Sequence, residues 1–471
     1  MSFSLRVGVL FLVCAAVATA STQEYLVRFN QSDSTAREEF LRRNGGTLAE
    51  VSAEGGLFKW VSDQSRDLSW DSNIRFIQKN HTYHLFESPS LTALRTTLKG
   101  KLEGRDFSAD KPTDNPEFLE PGIQASGADP LLDKAWGLFK VGADEAWKNT
   151  QQGKSIVVAV TDTGMDYNHT DLMPNLWHNK GEIAGDGIDN DGNGYIDDII
   201  GWDFASNDNK PFDLTLSLVE ILFQGGNPGH GTHVSGVVGA RLNNALGTAG
   251  VAPQVKIMPL RFITEKGEGS DADAIKAIDY AVKNGANIIN ASWGGEKGEE
   301  DDTALLEAIQ RAEKAGVIFV AAAGNGRVNQ QTGQAAGFDN DNDPKPMVPA
   351  SFNLSNIVAI AAVNDQDQLA NFSNWGHKSV KLAAPGVKIL STVPGNQYQD
   401  TIIDLGSIKA TWDGTSMASP FVSGSLAVVW SQSSAQTAGQ VINDLLTRVT
   451  PVAALKDKVS TEGRLELRTV H

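Results

Sequence analysis

Thiol chemistry is almost missing from this chain. Its one cysteine, Cys14, lies inside a short apolar stretch near the N-terminus. That stretch, "MSFSLRVGVLFLVCAAVATA", has Arg6 as a basic start, an apolar run over 7–17 and the small-residue triplet Ala18-Thr19-Ala20. It has the pattern of a secretory signal segment removed after Ala20. The expected mature chain then holds no thiol, which excludes a disulfide framework and leaves core size or bound metal as stabilisers for an exported protein. A second scarcity is length of apolar run: 7–17 is short for a membrane span, and no later run is longer. A third is positive charge. Lys and Arg total 40 against 57 Asp and Glu, a formal net charge of -17. Such a field repels nucleic acid and anionic membranes and favours cations, although solubility alone is an equally good reason for it. No tandem repeat or low-complexity tract interrupts the sequence.

What is present divides into two patterns. Residues 21–86 read as a compact α+β unit: strand-like "EYLVRF" (24–29), a helix over 34–46, then strands over 56–62 and 74–86. Residues 87–128 are poor in pattern and read as a linker. From 129 to 471 the design changes. β-branched runs such as "SIVVAVTDTG" (155–164), "VKIMPLRFI" (255–263), "ANIINASWGG" (286–295), "VIFVAAAGN" (317–325) and "IVAIAAVN" (357–364) alternate with amphipathic helices over 271–285 and 302–316. Continuously apolar strands between helices predict an α/β fold with a parallel sheet covered on both faces. Functional groups on such sheets gather at the C-terminal ends of strands, where Asp162, Ser292 and Asn325 fall.

Three polar clusters sit at glycine-containing turns: Asp162 after "VVAVT", His230 and His233 in "GHGTHVSG" (229–236), and Ser416 in "GTSMASP" (414–420). A serine hydroxyl becomes a useful nucleophile only when a base takes its proton, and that base needs a carboxylate to orient it. Each residue alone has a plainer reading: a cap for Asp162 or Ser416, a packed polar group for the histidines. Together they form the set that nucleophilic catalysis requires.

"AVTDTGMDYNHTDL", "GHGTHVSG" and "GTSMASP" resemble the three signatures of subtilisin-like serine peptidases, in the order Asp, His, Ser. The resemblance implies Asp162 as orienting carboxylate, His230 as general base and Ser416 as nucleophile, with His233 structural. "AAAGN" resembles the segment that supplies the oxyanion-hole side chain, which implies that role for Asn325, with the backbone N–H of Ser416 as second donor. "NASWGG" resembles the strand that pairs with substrate, so Ser292, Trp293 and Gly294 are expected to bind it; Trp293 either lines the binding face or only packs. The 21–86 unit resembles the family's inhibitory propeptide, with processing expected between Phe86 and Asp129, not far before "ADPLLDKAWGLFKVGADEAW" (128–147), which resembles mature N-termini in the family. Protein or peptide substrates and the chain's own propeptide are the implied partners.

Calcium is the expected cofactor. "DGIDNDGNGYIDD" (186–198) carries the first part of an EF-hand-type loop in Asp189, Asp191, Asn193, Tyr195 through its carbonyl, and Asp197. The distal Glu is missing, Ile200 standing in its place, so the pattern reads as an inserted calcium loop completed by Asp186 or Asp198. The resemblance implies a second site: Asp171, the Asn244 side chain and the carbonyls of Leu242, Leu246 and Thr248. It also points to a third at Asp203 and Asp208, opposed by Lys210, and "DNDND" (339–343) is either a further metal loop or simply polar. One stretch fits nothing: "TLSLVEILFQGGNP" (215–228) is unusually apolar for a loop and precedes His230, where it could form a lip.

The resulting expectation is a secreted, calcium-stabilised serine endopeptidase made as a self-processing zymogen. The alternative is a catalytically silent, calcium-binding secreted protein on the same fold.

Overall fold

The computed structural model describes residues 23–30, 34–62, 73–102, 115–119, 126–298, 302–433 and 435–470. The signal-like stretch 1–20 lies outside the described residues. Among those described, no helix is long and apolar enough to cross a membrane.

A nine-stranded sheet forms the frame of the larger unit. Its central strands run in the order Val380–Pro385, Ile357–Val363, Ile318–Ala322, Ile288–Ala291, Val157–Asp162 and Lys256–Arg261, all parallel. The two-residue strand Trp202–Asp203 adds in parallel at one edge, and Gly463–Arg464 at the other, where Thr450–Pro451 then runs antiparallel. Alternate residues of each strand enter different cores. Val158, Val160, Ile288 and Val320 pack with Val234 and Val422, from the helices His230–Gly239 and Thr415–Trp430. Ala159, Ile289, Phe319 and Ala321 pack with Ile275, Ile278, Leu305 and Ile309, from the helices Asp271–Lys283 and Thr303–Lys314. Both faces are dry, which is why these strands read as unbroken apolar runs.

The small unit is a four-stranded antiparallel sheet, ordered Thr47–Ser52, Leu57–Ser62, Gln23–Phe29, Ile74–Lys79. With the helix Ser34–Asn44 it closes a core of Val27, Phe29, Phe40, Phe58 and Trp60. Its opposite face, with Leu26, Val51 and Leu57, joins the core of the two outer helices. Polar contacts fix the register: Ser52 donates to Asp279 (2.6 Å), Arg28 and Arg75 both pair with Glu307, and Gln78 accepts from the N–H of Ala304 at a helix start.

Four readings change. The strand read over 286–295 is cut in two at Ser292: Ile288–Ala291 stays in the large sheet, while Trp293–Glu296 turns into a second, four-stranded sheet. The run 74–86 also divides, and its second half, Thr82–Leu85, leaves the small unit altogether. The supposed linker holds a helix, Pro89–Leu102, and the apolar stretch before His230 holds another, Leu218–Gln224. The latter starts on a reciprocal cap, Ser217 with Glu220, so its apolar residues belong to a buried helix face, with Ile221 1% exposed.

Candidate active site

Asp162, His230 and Ser416 converge where the fold places strand ends and helix starts together. Asp162 is the last residue of its strand and is fully buried. Its Oδ1 accepts from the backbone N–H of Thr163 and lies 2.8 Å from Nδ1 of His230. His230 opens its helix, and Gly229 before it has φ 102°, with a Pro394 carbon 2.4 Å from where a Cβ would sit. Only glycine fits that turn, and the turn is what brings His230 over the strand. Ser416 lies in the first turn of its own long helix, buried. Its hydroxyl donates to the carbonyl of Ser292 (2.9 Å), and Nε2 of His230 has no partner among the described residues. The structure therefore makes the Asp–His bond and leaves the Ser–His bond unmade.

Asn325 is held for donation. Its side-chain oxygen accepts from both the N–H and the hydroxyl of Thr415, at 2.9 Å each. The amide nitrogen faces the cleft, 3.5 Å from the carbonyl of Phe86 and 3.3 Å from that of Glu87. His233 packs flat on Trp412, centroids 4.2 Å apart, and burial pushes its imidazole down to about 3, which keeps it neutral.

The chain's own residues 82–87 occupy this cleft. Thr82–Leu85 pairs antiparallel with Trp293–Glu296 on one side and with Glu268–Ser270 on the other. Leu85 faces Trp293 and His84 faces Gly294. The Phe86 ring fills a pocket with Ala322, Met347 and Phe338. A Cβ on Gly294 would sit 2.5 Å from the Val348 carbonyl oxygen and 2.8 Å from that ring, so the missing side chain makes room for both the neighbouring strand and the ring. Trp293 is fully buried between Phe262 and Tyr83, its indole N–H on Thr161, so it supports the cleft by packing.

Two groups escaped the sequence reading. Asp213 is fully buried and accepts from Thr163, Asn227 and Thr232, tying the Asp162 turn to the His230 helix. Burial pushes its carboxyl up to about 6, against the pull of those bonds. His81 lies at the joint with the small unit, 3.2 Å from Asp271 and 3.1 Å from Asp302, and hydrogen bonding to these carboxylates raises it to about 10. No local pattern marks either residue; their partners are distant in sequence.

The candidate cation sites differ in quality. Asp171 and Asn244 are brought together at 2.8 Å, beside Asp129. Asp171 Oδ2 is buried, with the Tyr398 hydroxyl beside it and no well-formed hydrogen bond among the described residues, and burial pushes that carboxyl up to about 7. Backbone N–H groups take the carbonyls of Asn243 and Gly247, and among the described residues none takes those of Leu242, Leu246 or Thr248. A hard cation would satisfy the Asp171 oxygen and the spare carbonyls, once the Asn244 amide, which now donates to Asp171 and accepts the Leu246 N–H, turned its oxygen inward. In the second loop, oxygens of Asp189 and Asp191 gather with Glu182, all within 4.8 Å of one another. Glu182, from before the loop, is the glutamate near them, and its oxygens accept from the N–H groups of Asn190, Asp191 and Asp197. Asp197 is turned away: at φ 54° its carboxylate collects the N–H groups of Gly185, Asp186 and Gly187. Asn193 bonds Asp191 and Asp198, and the Tyr195 ring packs on Trp202 and Tyr280. The third site is not built, because the guanidinium of Arg261 pairs with Asp203 at 2.5 Å. In 339–343, Asp341 caps Lys378 and Ser379 and Asp343 pairs with Arg327, which favours the plain polar reading.

The model of peptidase family S8, the subtilases, matches residues 153–460. "Subtilisin-like protease 2" of Plasmodium falciparum (isolate 3D7) is 34% identical over 322 residues, 66% of this chain and 20% of that protein. "Thermophilic serine proteinase" of Bacillus sp. (strain AK1) is 35% identical over 321 residues, 67% of this chain and 63% of that protein. "Thermitase" of Thermoactinomyces vulgaris is 33% identical over 305 residues, 64% of this chain and 85% of that protein. The chain thus spans a fifth of the first relative and under two thirds of the second. It belongs to the subtilase family.

Proposed function

We propose that the chain is a secreted, calcium-stabilised serine endopeptidase made as a zymogen, and that it cuts itself between Phe86 and Glu87. One observation carries the reading: Thr82–Leu85 lies as an antiparallel strand against Trp293–Glu296, and the carbonyls of Phe86 and Glu87, just past its end, lie 3.5 and 3.3 Å from the Asn325 amide. That is where a bond to be cut would sit. Swinging from Ser292 to His230, the Ser416 hydroxyl gives its proton to Nε2 as Oγ bonds the Phe86 carbonyl carbon. Asp162 stabilises the imidazolium, and Asn325 with the Ser416 N–H takes the oxyanion. The imidazolium then passes its proton to the nitrogen of Glu87 as the C–N bond breaks. Water, deprotonated by His230, later releases the acyl group. Residues 21–86 act as propeptide, 87–128 as a segment lost in maturation and 129–471 as the peptidase. Calcium held by Asp171, Asn244 and the three carbonyls would neutralise a buried carboxylate and brace the 242–248 loop; Glu182, Asp189 and Asp191 offer a second position.

The Ser416 rotamer, turned to Ser292, is the observation that favours the silent alternative. Fluorophosphonate labelling of wild type and Ser416→Ala, with intact mass and N-terminal sequencing, tests both. Label on Ser416 and a new N-terminus at Glu87, absent in the variant, support the peptidase. A folded wild type that refuses both label and cut overturns it. Adding calcium to chelated Ser416→Ala should raise its Tm, and Asp171→Asn should blunt that gain.

A further inference from the structure

On the far side of Ser416 the chain does not leave the cleft. It continues through Glu87 and Ser88 into the helix Pro89–Leu102. Leu91 and Leu94 are 0% and 2% exposed, and Leu98 is partly buried beside them, so one helical stripe is seated on the enzyme. Helix Leu218–Gln224 and the hairpin Thr401–Asp404/Lys409–Thr411 pack against it. A small space beside the hairpin is lined by Leu91, Ile402, Trp412 and Met417, with Gly226 and Pro228 from just after the helix Leu218–Gln224, and it reaches His230. Side chains set its register: Ser88 donates to the carbonyl of Thr411 (2.7 Å), and Ser90 Oγ accepts the Thr411 N–H (2.8 Å). The helix also secures its own start. Thr92 donates to the Glu87 carboxylate (2.7 Å), and Arg95 pairs with the same group.

We propose that this helix is a second lock, held in an apolar site on the leaving-group side of Ser416, and that the segment 215–226, whose helix packs against it, helps to form that site. The proposal rests on the peptidase reading. Cutting Phe86–Glu87 releases the small unit from its covalent tie. It does not release the helix, which remains joined through 103–128 to the unit it blocks. Nor does the cut weaken the docking, because Glu87, Thr92 and Arg95 all lie on the helix side of the broken bond. A tethered ligand of this kind acts at an effective concentration in the millimolar range. Full activity therefore needs a second cut, beyond the helix. The insert helix would afterwards present an apolar wall to the leaving-group half of a substrate.

The test compares full-length wild type with Leu91→Glu/Leu94→Glu, each allowed to process, the released fragment being removed by chromatography. The probe is an internally quenched peptide of residues 82–92, "TYHLFESPSLT". At the stage where the N-terminus is Glu87, wild type should hydrolyse it about 100-fold more slowly than the variant, the scale expected from seating two leucines. Ile221→Ser, made in the receptor, should release the lock too. Equal rates for wild type and both variants at that stage overturn the proposal. If neither chain is cut or labelled, the peptidase reading has failed, and docking is read alone. Fluorescein-labelled peptide 87–102 is then titrated into the Leu91→Glu/Leu94→Glu chain. Saturable binding that Ile221→Glu abolishes upholds the site, and no binding overturns it.

Discussion

The two halves of the cleft hold the same chain by different means. Ahead of Ser416, Thr82–Leu85 is bound as a strand between two strands, and its partners are backbone groups. Behind Ser416, Pro89–Leu102 is bound as a helix whose own backbone bonds are internal, so its side chains make the specific contacts with the larger unit. The first kind of contact accepts almost any extended sequence, whereas the second reads sequence. A peptidase built this way would be permissive on one side and selective on the other, with Phe86 and its pocket the exception on the permissive side.

That contrast can be broken by experiment. The largest effect belongs to the centre. Ser416→Ala should lower kcat by about 10^6-fold and leave both halves occupied, seen as an unprocessed mass. Leu94→Ala should weaken helix docking by about 2–5 kcal/mol, read as faster hydrogen exchange across residues 89–98 in the uncut Ser416→Ala chain. Gly294→Ala places a methyl against the Phe86 ring, so cutting after aromatic residues should fall about 100-fold relative to cutting after alanine. The joint of the small unit with the larger one should depend on pH. Burial lifts the Asp271 carboxyl, the His81 imidazolium opposes that lift, and His81 is raised to about 10 from an ordinary 6.5. Its contribution to binding is then complete below about pH 6.5 and lost as pH rises towards 10. The Kd of the released small unit should climb by up to about tenfold per pH unit across that window, and His81→Gln should flatten the profile. The smallest effect is the sharpest control. His84 is exposed and pairs through its backbone, so His84→Ala should change the affinity of the small unit by less than about 0.5 kcal/mol. A large loss there would mean that the strand side reads side chains after all.

The same contrast governs what could be read from the sequence. Strands buried on both faces leave unbroken apolar runs, and Asp162, His230 and Ser416 stand in short signatures because each needs a fixed turn. Those parts were legible. The break at Ser292 was not, because Trp293 continues the apolar run while its backbone changes sheet. The helix after Phe86 was hidden by Thr92, Thr96, Thr97 and Gly100, poor helix formers that mask the spacing of Leu91, Leu94 and Leu98. Asp213, Glu182 and the Arg261–Asp203 pair are tertiary facts; nothing within a few residues of any of them announces its partner.

Withdrawing Thr82–Leu85 would leave a slot one strand wide, with unpaired N–H and C=O groups on both walls. On the peptidase reading, only a segment able to straighten over several residues can satisfy both walls together. A target must therefore surrender its own local hydrogen bonds before it can be cut, and its cleavage rate becomes a gauge of how often that segment opens. Well-folded neighbours are spared by their own stability, while frayed or damaged ones select themselves.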